Sequence, residues 1–134
     1  MTILKRIIDW NNQRGLIKKG FNQKNEVSFI VEELLESTGK YDSLSAREKA
    51  EEITVEILKG EENQNKEEII DAFADIIVFA TGAIGKLGYD PEIVMDEVLK
   101  EIESRTGKMV DGKFVKDLDA KMYKADFSKA KIKK

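Results

Sequence analysis

Residues 69–85 read IIDAFADIIVFATGAIG, and the only charged residues in this stretch are Asp71 and Asp75. The stretch is too short, and too polar at its start, for a membrane span. As a helix it would be apolar around most of its circumference, so we expect most of it to be buried. With about 3.6 residues per turn, Glu68, Asp71 and Asp75 lie on one narrow stripe. Because an unpaired buried carboxylate is costly, a basic side chain or a metal ion is expected beside them.

The composition limits both the fold and the chemistry. The chain has 134 residues, 37% of them charged and 41% hydrophobic, which predicts a single domain over residues 1–134. One proline and many helix-forming residues favour an all-α fold. The sequence has no cysteine and no histidine, so a metal would be held by oxygen, which indicates magnesium or manganese. Residues 1–9 lack the apolar core of a signal peptide, and the expected location is cytoplasmic.

The apolar periodicity predicts a helical bundle of four to five helices with a short C-terminal hairpin and tail. The predicted helices cover residues 3–13, 25–38, 45–60, 65–88 and 91–107, with a loop over residues 16–24. The predicted N-caps are Asn25, Ser45, Asn65 and Asp90, and Ser45 is expected to form a capping box with Glu48. Residues 109–115, MVDGKFV, contain an Asp-Gly pair that predicts the hairpin turn.

A second acidic cluster lies in the predicted helix 25–38. Glu33 and Glu36 fall beside Phe29 and away from an apolar stripe formed by Val27, Ile30, Val31, Leu34 and Leu35. Acidic residues opposite a core face are commonly just solvated. However, Phe29 indicates that this face is partly covered. If the two acidic helices are antiparallel, Glu33 and Glu36 can face Asp71 and Asp75, and four carboxylates can then hold a hard divalent cation.

The two acidic helices resemble those of the MazG-like all-α nucleoside triphosphate pyrophosphohydrolases, a superfamily that includes phosphoribosyl-ATP pyrophosphohydrolase and the dimeric dUTPases. The first motif is Glu32-Glu33-Leu34-Leu35-Glu36, and the second is Glu68-Ile69-Ile70-Asp71 followed by Asp75. Weaker similarities cover Trp10, Arg14-Gly15, residues 86–91 (KLGYDP) and residues 123–127 (YKADF).

The chain departs from this pattern at two places. Ala72 stands where many relatives have a glutamate three residues before the second aspartate. Either Asp71 supplies that ligand from one position earlier, or Glu68 and Asp71 form the pair with Asp75 as an extra ligand. Many relatives also have an asparagine in the last helix, where this chain has Glu103 and Ser104, so no asparagine role is transferred.

The resemblance implies magnesium-dependent hydrolysis of a nucleoside triphosphate to the monophosphate and pyrophosphate, with manganese as an alternative metal. The implied metal ligands are Glu33, Glu36, Asp71 and Asp75, with Glu68 as a further candidate. Glu32 or Glu33 would accept the proton of the attacking water. The candidate substrate-binding residues are Trp10, Arg14, Lys86, Arg105 and Lys108, each of which also has an ordinary structural interpretation.

The predicted partners are a nucleotide substrate and further copies of the chain. Gly82 and Gly85 are costly within a helix unless another helix packs closely there, so a homo-oligomer, either a dimer or a tetramer, is expected. Residues 121–134 contain six lysines and one aspartate. We interpret them as a solvated terminus or a strap onto a neighbouring subunit, with no membrane and no nucleic-acid polymer as partner.

Two alternatives remain at this stage. One is the phosphoribosyl-ATP pyrophosphohydrolase of histidine synthesis, which shares the same carboxylate site. The other is a non-enzymatic helical interaction module in which Asp71 and Asp75 form salt bridges with Arg14, Lys86 or Arg105.

Overall fold

The computed structural model describes residues 1–111, 113–117 and 122–132, with only the backbone of Lys113, and it is predominantly helical. The elements are α1 (Ile3–Gln13), α2 (Leu16–Lys19), α3 (Gln23–Glu36), α4 (Ser43–Leu58), α5 (Lys66–Lys86), α6 (Pro91–Ser104), β1 (Gly107–Val110), β2 (Lys113–Lys116) and a 3-10 helix (Phe127–Ala130). The all-α fold class is confirmed. The expected four to five helices become six in the described residues, because α2 forms inside the predicted loop 16–24. Within these residues, no helix has both the length and the apolar character that a bilayer crossing requires.

Three of the local predictions are confirmed. The side chain of Asn65 accepts hydrogen bonds from the first turn of α5 at 3.1 and 3.3 Å. Asp90 caps α6, and Pro91 occupies the first turn, where its missing N–H costs nothing. The strands β1 and β2 pair antiparallel with Val110 opposite Lys113, around the predicted Asp-Gly turn, of which Gly112 lies outside the described residues.

Two predicted helix starts are wrong, since each helix begins earlier. Asn22, not Asn25, caps α3, and its side chain accepts a hydrogen bond from the Asn25 N–H at 3.0 Å. Asp42 caps α4 and forms a capping box with Ser45, which is the third helical residue and not the N-cap paired with Glu48. Asparagine and aspartate are both strong N-caps, so the earlier residue adds almost a turn to each helix.

The chain forms two compact units. Gly20–Ile69 is one, called here the contiguous unit, and Met1–Lys19 together with Ile70–Lys134 is the other, the discontinuous unit. In the contiguous unit α3 packs against α4. Ala46, Ala50 and Thr54 lie four residues apart on α4 and are fully buried. Because these side chains are small, α3 can approach α4 closely, and α4 fixes the side chains that α3 presents.

The buried face of α3 differs from the predicted one. Glu32 is only 8% exposed, whereas Leu34, which was assigned to the apolar stripe, is 66% exposed. The prediction is wrong at Leu34 because it assumed that only apolar residues face α4. Arg47 of α4 neutralises the Glu32 carboxylate, and a paired carboxylate can occupy a buried position.

In the discontinuous unit α6 contacts α1 and the 3-10 helix. Arg6 of α1 reaches two acidic residues of α6, with its Nη1 atom 2.7 Å from Asp96 Oδ1 and its Nη2 atom 2.5 Å from Glu103 Oε1. The hydrogen bond from Arg6 lowers the pKa of Asp96. This fork of ion pairs fixes α1 along α6.

Residues 122–132 form a segment that we call the C-terminal strap. The strap returns to the turn between α5 and α6, where the Asp90 N–H donates to the Ala130 carbonyl at 2.8 Å and the Ile132 N–H donates to the Gly88 carbonyl at 2.9 Å. The expectation of a solvated terminus or of a strap onto a neighbouring subunit is therefore wrong for residues 122–132. These residues are held by main-chain hydrogen bonds to their own chain, which the charge pattern alone does not encode.

The strap is anchored on the carboxylate of Glu97, which is 1% exposed. Glu97 accepts hydrogen bonds from the Tyr123 hydroxyl, from the Asp126 N–H at 3.0 Å and from Lys100 Nζ at 3.2 Å, and Lys129 Nζ lies 3.8 Å away. The Tyr123 hydroxyl, followed by the Asp126 N–H, lowers the pKa of Glu97 to about 2, against the opposing effect of desolvation. The ionised form of Glu97 is thus the one that holds the strap.

We predict that acid weakens this anchor in a defined pH window. The pKa of Glu97 is lower in the folded chain than its ordinary value of 4.5, so its contribution is present above pH 4.5 and is lost as the pH falls towards 2. Glu97→Gln should lower the melting temperature at pH 7 and reduce its fall between pH 4.5 and 2, as measured by circular dichroism. Glu56→Gln, an exposed change on α4, should melt as the wild type does. A Glu97→Gln protein with wild-type melting at pH 7 would contradict the anchor.

The helix α5 departs most from its prediction. None of its residues, all of which the structure describes, is buried, and Val78 and Phe79 are 66% and 77% exposed. The expectation that α5 is buried is wrong for the single chain. Apolar periodicity indicates a surface that needs to be covered, but it does not indicate whether the same chain or another chain covers it. A Cβ added at Gly82 or Gly85 would meet no atom of the described residues within 4 Å, so the expected close helix contact is not made there.

Candidate functional site

Three glutamates of α3 form the candidate metal site. Glu32, Glu33 and Glu36 each offer a carboxylate oxygen, and these three atoms all lie within 4.8 Å of one another. Glu36 lies one helical turn after both Glu32 and Glu33, at spacings of four and three residues. Three negative charges at this distance repel one another unless a cation or a donor lies between them. We call these residues the glutamate cluster.

The members of the cluster differ in burial and in their partners. Glu32 is buried and its Oε1 atom lies 3.5 Å from Nε of Arg47. Glu36 is half-buried and accepts a hydrogen bond from the Ser43 hydroxyl at 3.0 Å, while Glu33 is exposed. Both partners come from α4 and hold the carboxylates in place. Sequence reasoning missed Arg47 and Ser43, because nothing local links them to residues of another helix.

The donor chemistry of the cluster fits a hard divalent cation. Magnesium, manganese and calcium all prefer carboxylate oxygens, and the cluster offers only these. Arg47 lies 3.5 Å from Glu32 and offsets part of the negative charge of the cluster. A softer metal would need thiolate or imidazole ligands, and the sequence contains neither cysteine nor histidine.

The other predicted acidic ligands lie elsewhere in the chain. Asp71 and Asp75 are exposed residues of α5 and belong to the discontinuous unit. Glu68 belongs to the contiguous unit, is not a member of the glutamate cluster, and accepts a hydrogen bond from Asn63 Nδ2 at 3.1 Å. The assignment of these three residues as metal ligands stays a prediction from the sequence pattern.

The ion pairs expected for an interaction module are not formed. Among the described residues, neither Asp71 nor Asp75 makes an ion pair, whereas Arg105 pairs with Glu101 at 3.3 Å. Arg14 is held by aromatic rings, as described next. The structure therefore gives no support to the module in the form that the sequence suggested.

Trp10 and Arg14, two predicted substrate-binding residues, lie one turn apart at the end of α1, and Phe114 of the hairpin contacts both. The guanidinium carbon of Arg14 lies 4.1 Å from the ring centroid of Trp10 and 4.8 Å from that of Phe114 in β2. The two rings meet edge to face with their centroids 5.6 Å apart. Arg14 Nη1 also donates to the Trp10 carbonyl at 3.3 Å. Phe114 was not foreseen, because its contact with α1 is long-range.

The remaining candidates are less constrained. Lys86 ends α5, and Lys108 lies in β1 opposite Val115, both with exposed side chains.

Sequence reasoning missed Glu26, a half-buried residue in the first turn of α3, where burial raises the pKa of its carboxyl. It lies two turns before Glu33 on the same side of the helix, and that spacing is the signal that could have drawn attention to it.

A family model described as phosphoribosyl-ATP pyrophosphohydrolase matches residues 18–102. The match covers more than half of the chain, so the chain belongs to the phosphoribosyl-ATP pyrophosphohydrolase family. This confirms the predicted resemblance to the MazG-like enzymes and implies a pyrophosphohydrolase. The glutamate cluster lies inside the matched residues, whereas Trp10, Arg14 and the hairpin lie outside them. No curated protein and no solved structure matched the chain.

We predict that the glutamate cluster binds manganese, which can be followed by electron paramagnetic resonance. Glu36→Gln should weaken binding by about 10-fold or more, because one charged ligand becomes neutral. Arg47→Gln should instead strengthen binding, since it removes a positive charge 3.5 Å from Glu32.

The control for this titration is Glu56→Gln, which changes an exposed glutamate of the same helix as Arg47 and should leave the affinity unchanged. Equal manganese affinities for the wild type and Glu36→Gln would remove the cluster from the metal site.

Proposed function

We propose that the protein is a magnesium-dependent nucleoside triphosphate pyrophosphohydrolase that converts an NTP or dNTP and water to the monophosphate and pyrophosphate. The supporting observation is the glutamate cluster of α3, an all-oxygen donor set within the residues that match the family. The proposal includes manganese as an alternative metal and housekeeping of the cytoplasmic nucleotide pool as the role, since that is where these substrates are used.

The division of labour within the cluster follows from burial and charge. When bound, a divalent cation neutralises phosphate charge and activates water. Glu33 and Glu36 would hold it, with Ser43 orienting Glu36. Glu32 or Glu33 would accept the proton of the attacking water. Arg47 holds the buried Glu32 carboxylate at 3.5 Å, whereas Glu33 is exposed to solvent.

We also propose metal ligands in α5. Asp71 and Asp75 are assigned as ligands from the acidic pattern that the chain shares with the MazG-like enzymes, and Glu68 is a further candidate. Lys86, Arg105 and Lys108 are proposed to steady the phosphates or the departing pyrophosphate. Of these, Arg105 already pairs with Glu101, so Lys86 and Lys108 are the more available cations.

Phosphoribosyl-ATP is the second candidate substrate, because the matching family is described by hydrolysis of that compound. The same anhydride bond would be broken and the same carboxylates would be used. The two candidates differ only in what the triphosphate carries. A panel of substrates therefore decides between them.

We predict magnesium-dependent release of pyrophosphate from at least one member of a panel of canonical nucleotides, damaged nucleotides and phosphoribosyl-ATP. Chromatography should show the matching monophosphate in equal amount. Glu36→Gln and Asp75→Asn should each lower kcat by about 100-fold or more, because each substitution removes the negative charge of one proposed metal ligand.

Glu56→Gln is the matched control and should retain full activity. Full activity of Asp75→Asn would reject its assignment as a ligand. The absence of pyrophosphate release from every substrate, in a protein that binds manganese, would reject the hydrolytic function.

We further propose that the protein is a homo-oligomer, a dimer or a tetramer, assembled through α5. Between Asp75 and Lys86 the helix carries no charged residue, and large apolar side chains such as Val78 and Phe79 are exposed. Contiguous apolar surface of this kind marks interaction sites. A second copy of α5 is a suitable partner, because two identical apolar helices form a self-complementary interface and Gly82 and Gly85 leave room for close approach.

We predict that Phe79→Glu disrupts this assembly. A charge in the buried centre of the interface should raise the dissociation constant by about 30-fold or more, as measured by analytical ultracentrifugation over a concentration series. Leu44→Glu places the same charge on an exposed leucine of α4 and should leave the assembly intact. A wild-type chain that stays monomeric at all concentrations would overturn the proposal.

A further inference from the structure

The four arginines of the chain differ in how their charges are balanced. Arg6 pairs with Asp96 and Glu103, Arg47 pairs with Glu32, and Arg105 pairs with Glu101. In the described part of the chain, Arg14 makes no ion pair, and its hydrogen-bond partner is the carbonyl of Trp10. Although the chain has a net charge of −3, none of the described carboxylates pairs with this arginine.

The position of Arg14 is nevertheless highly constrained. Its guanidinium lies against the rings of Trp10 and Phe114, at 4.1 and 4.8 Å from their centroids. Contact with aromatic faces stabilises a cation but does not neutralise it. The N–H groups of a guanidinium point outward in the plane of the group. Rings stacked on its faces therefore leave its edge open to a hydrogen-bond acceptor.

Two donors in this stack are buried without an acceptor. The indole Nε1 of Trp10 and the Nε of Arg14 have no hydrogen-bond partner among the described residues. A buried donor without a partner costs about 1–3 kcal/mol, and such groups are rare in folded proteins. Burial also lowers the pKa of Arg14, which reflects the same uncompensated desolvation. Both orphan atoms are donors, so the group that would satisfy them must be an acceptor.

The surroundings of the stack favour an anionic acceptor. In the register of the hairpin, Lys116 lies on the same face as Phe114, while the neighbouring Asp117 accepts a hydrogen bond from the Thr106 hydroxyl at 2.9 Å. Lys18 and Lys19 follow Arg14 closely in α2. The carbonyls at the end of α1 contribute only a partial negative charge. They do not balance a full guanidinium charge.

We propose that the Trp10–Arg14–Phe114 stack is a phosphate-binding site. A guanidinium binds phosphate oxygens through its terminal N–H groups, and phosphate supplies the negative charge that the stack lacks. The site belongs to the discontinuous unit and does not rest on the metal-dependent hydrolysis proposed above. The ligand of the stack is a phosphate group, which is carried either by a nucleotide or by free pyrophosphate.

Trp10 is the only tryptophan in the sequence, so its fluorescence reports on this site alone. The test is a fluorescence titration of the full chain with pyrophosphate, ATP and AMP in EDTA, checked by calorimetry. Without metal, the glutamate cluster repels these anions. We expect saturable binding in the wild type and about 10- to 100-fold weaker binding in Arg14→Gln. Tighter binding of ATP than of pyrophosphate would identify the nucleotide as the source of the phosphate, and the reverse would identify pyrophosphate.

The controls separate this site from the proposed catalytic one. Glu36→Gln, which should slow hydrolysis by about 100-fold or more, should bind pyrophosphate in EDTA as the wild type does, and so should Arg47→Gln. Arg14→Lys keeps the charge but loses the planar donors, so it should bind with intermediate affinity, and it replaces Arg14→Gln if that variant does not fold. Chloride at equal ionic strength should not compete. No saturable change in the wild type, or equal affinities for the wild type and the Arg14 variants, would overturn the proposal.

Discussion

A carboxylate that is removed from water needs hydrogen-bond donors that replace the lost water molecules. At Glu97 this requirement determines the arrangement of the discontinuous unit. Tyr123, Asp126 and Lys129 of the C-terminal strap and Lys100 of α6 surround one buried carboxylate. Since a buried ion without partners costs several kcal/mol, α6 and the strap are held in one arrangement. The helix α6 so fixed presents Asp96 and Glu103 to Arg6, which positions α1 and therefore the stack that contains Arg14.

The same constraint has a different result in the contiguous unit. Glu32 is almost as buried as Glu97, and Arg47 lies 3.5 Å from its carboxylate. Glu33 and Glu36 lie close by, and three carboxylates so near one another favour a cation between them. One carboxylate thus holds the C-terminal strap, and the other belongs to a cluster whose donors suit a metal ion. The stack at Arg14 is the opposite case, with positive charge in excess.

The sequence predicted the elements that depend on local chemistry. Asn65, Asp90 and Pro91 mark helix starts, and the Asp-Gly pair marks the hairpin, because a few adjacent residues determine each of these features. The all-α class and the acidic residues of α3 were also predictable.

The burial of Glu32 in place of Leu34 on α3 could not be predicted from the sequence, because it depends on Arg47 from another helix. The C-terminal strap was not predicted for the same reason. Its lysines were interpreted as a solvated tail, because the sequence does not show that Glu97 lies close to this segment. The exposure of α5 shows the limit of periodicity, which identifies an apolar surface without identifying its partner.

The division of the chain into one contiguous and one discontinuous unit has a consequence for folding during synthesis. Residues 20–69 leave the ribosome as an uninterrupted segment, so α3 and α4 can pair while translation continues. The first 19 residues emerge earlier, but Arg6 must wait for α6, and Glu97 must wait for Tyr123 and Asp126. Nascent α1 therefore lacks its contact with α6 until the intervening and following residues have been added. The order of translation therefore allows the glutamate cluster to form before the arginine stack, which needs residues from both ends of the chain.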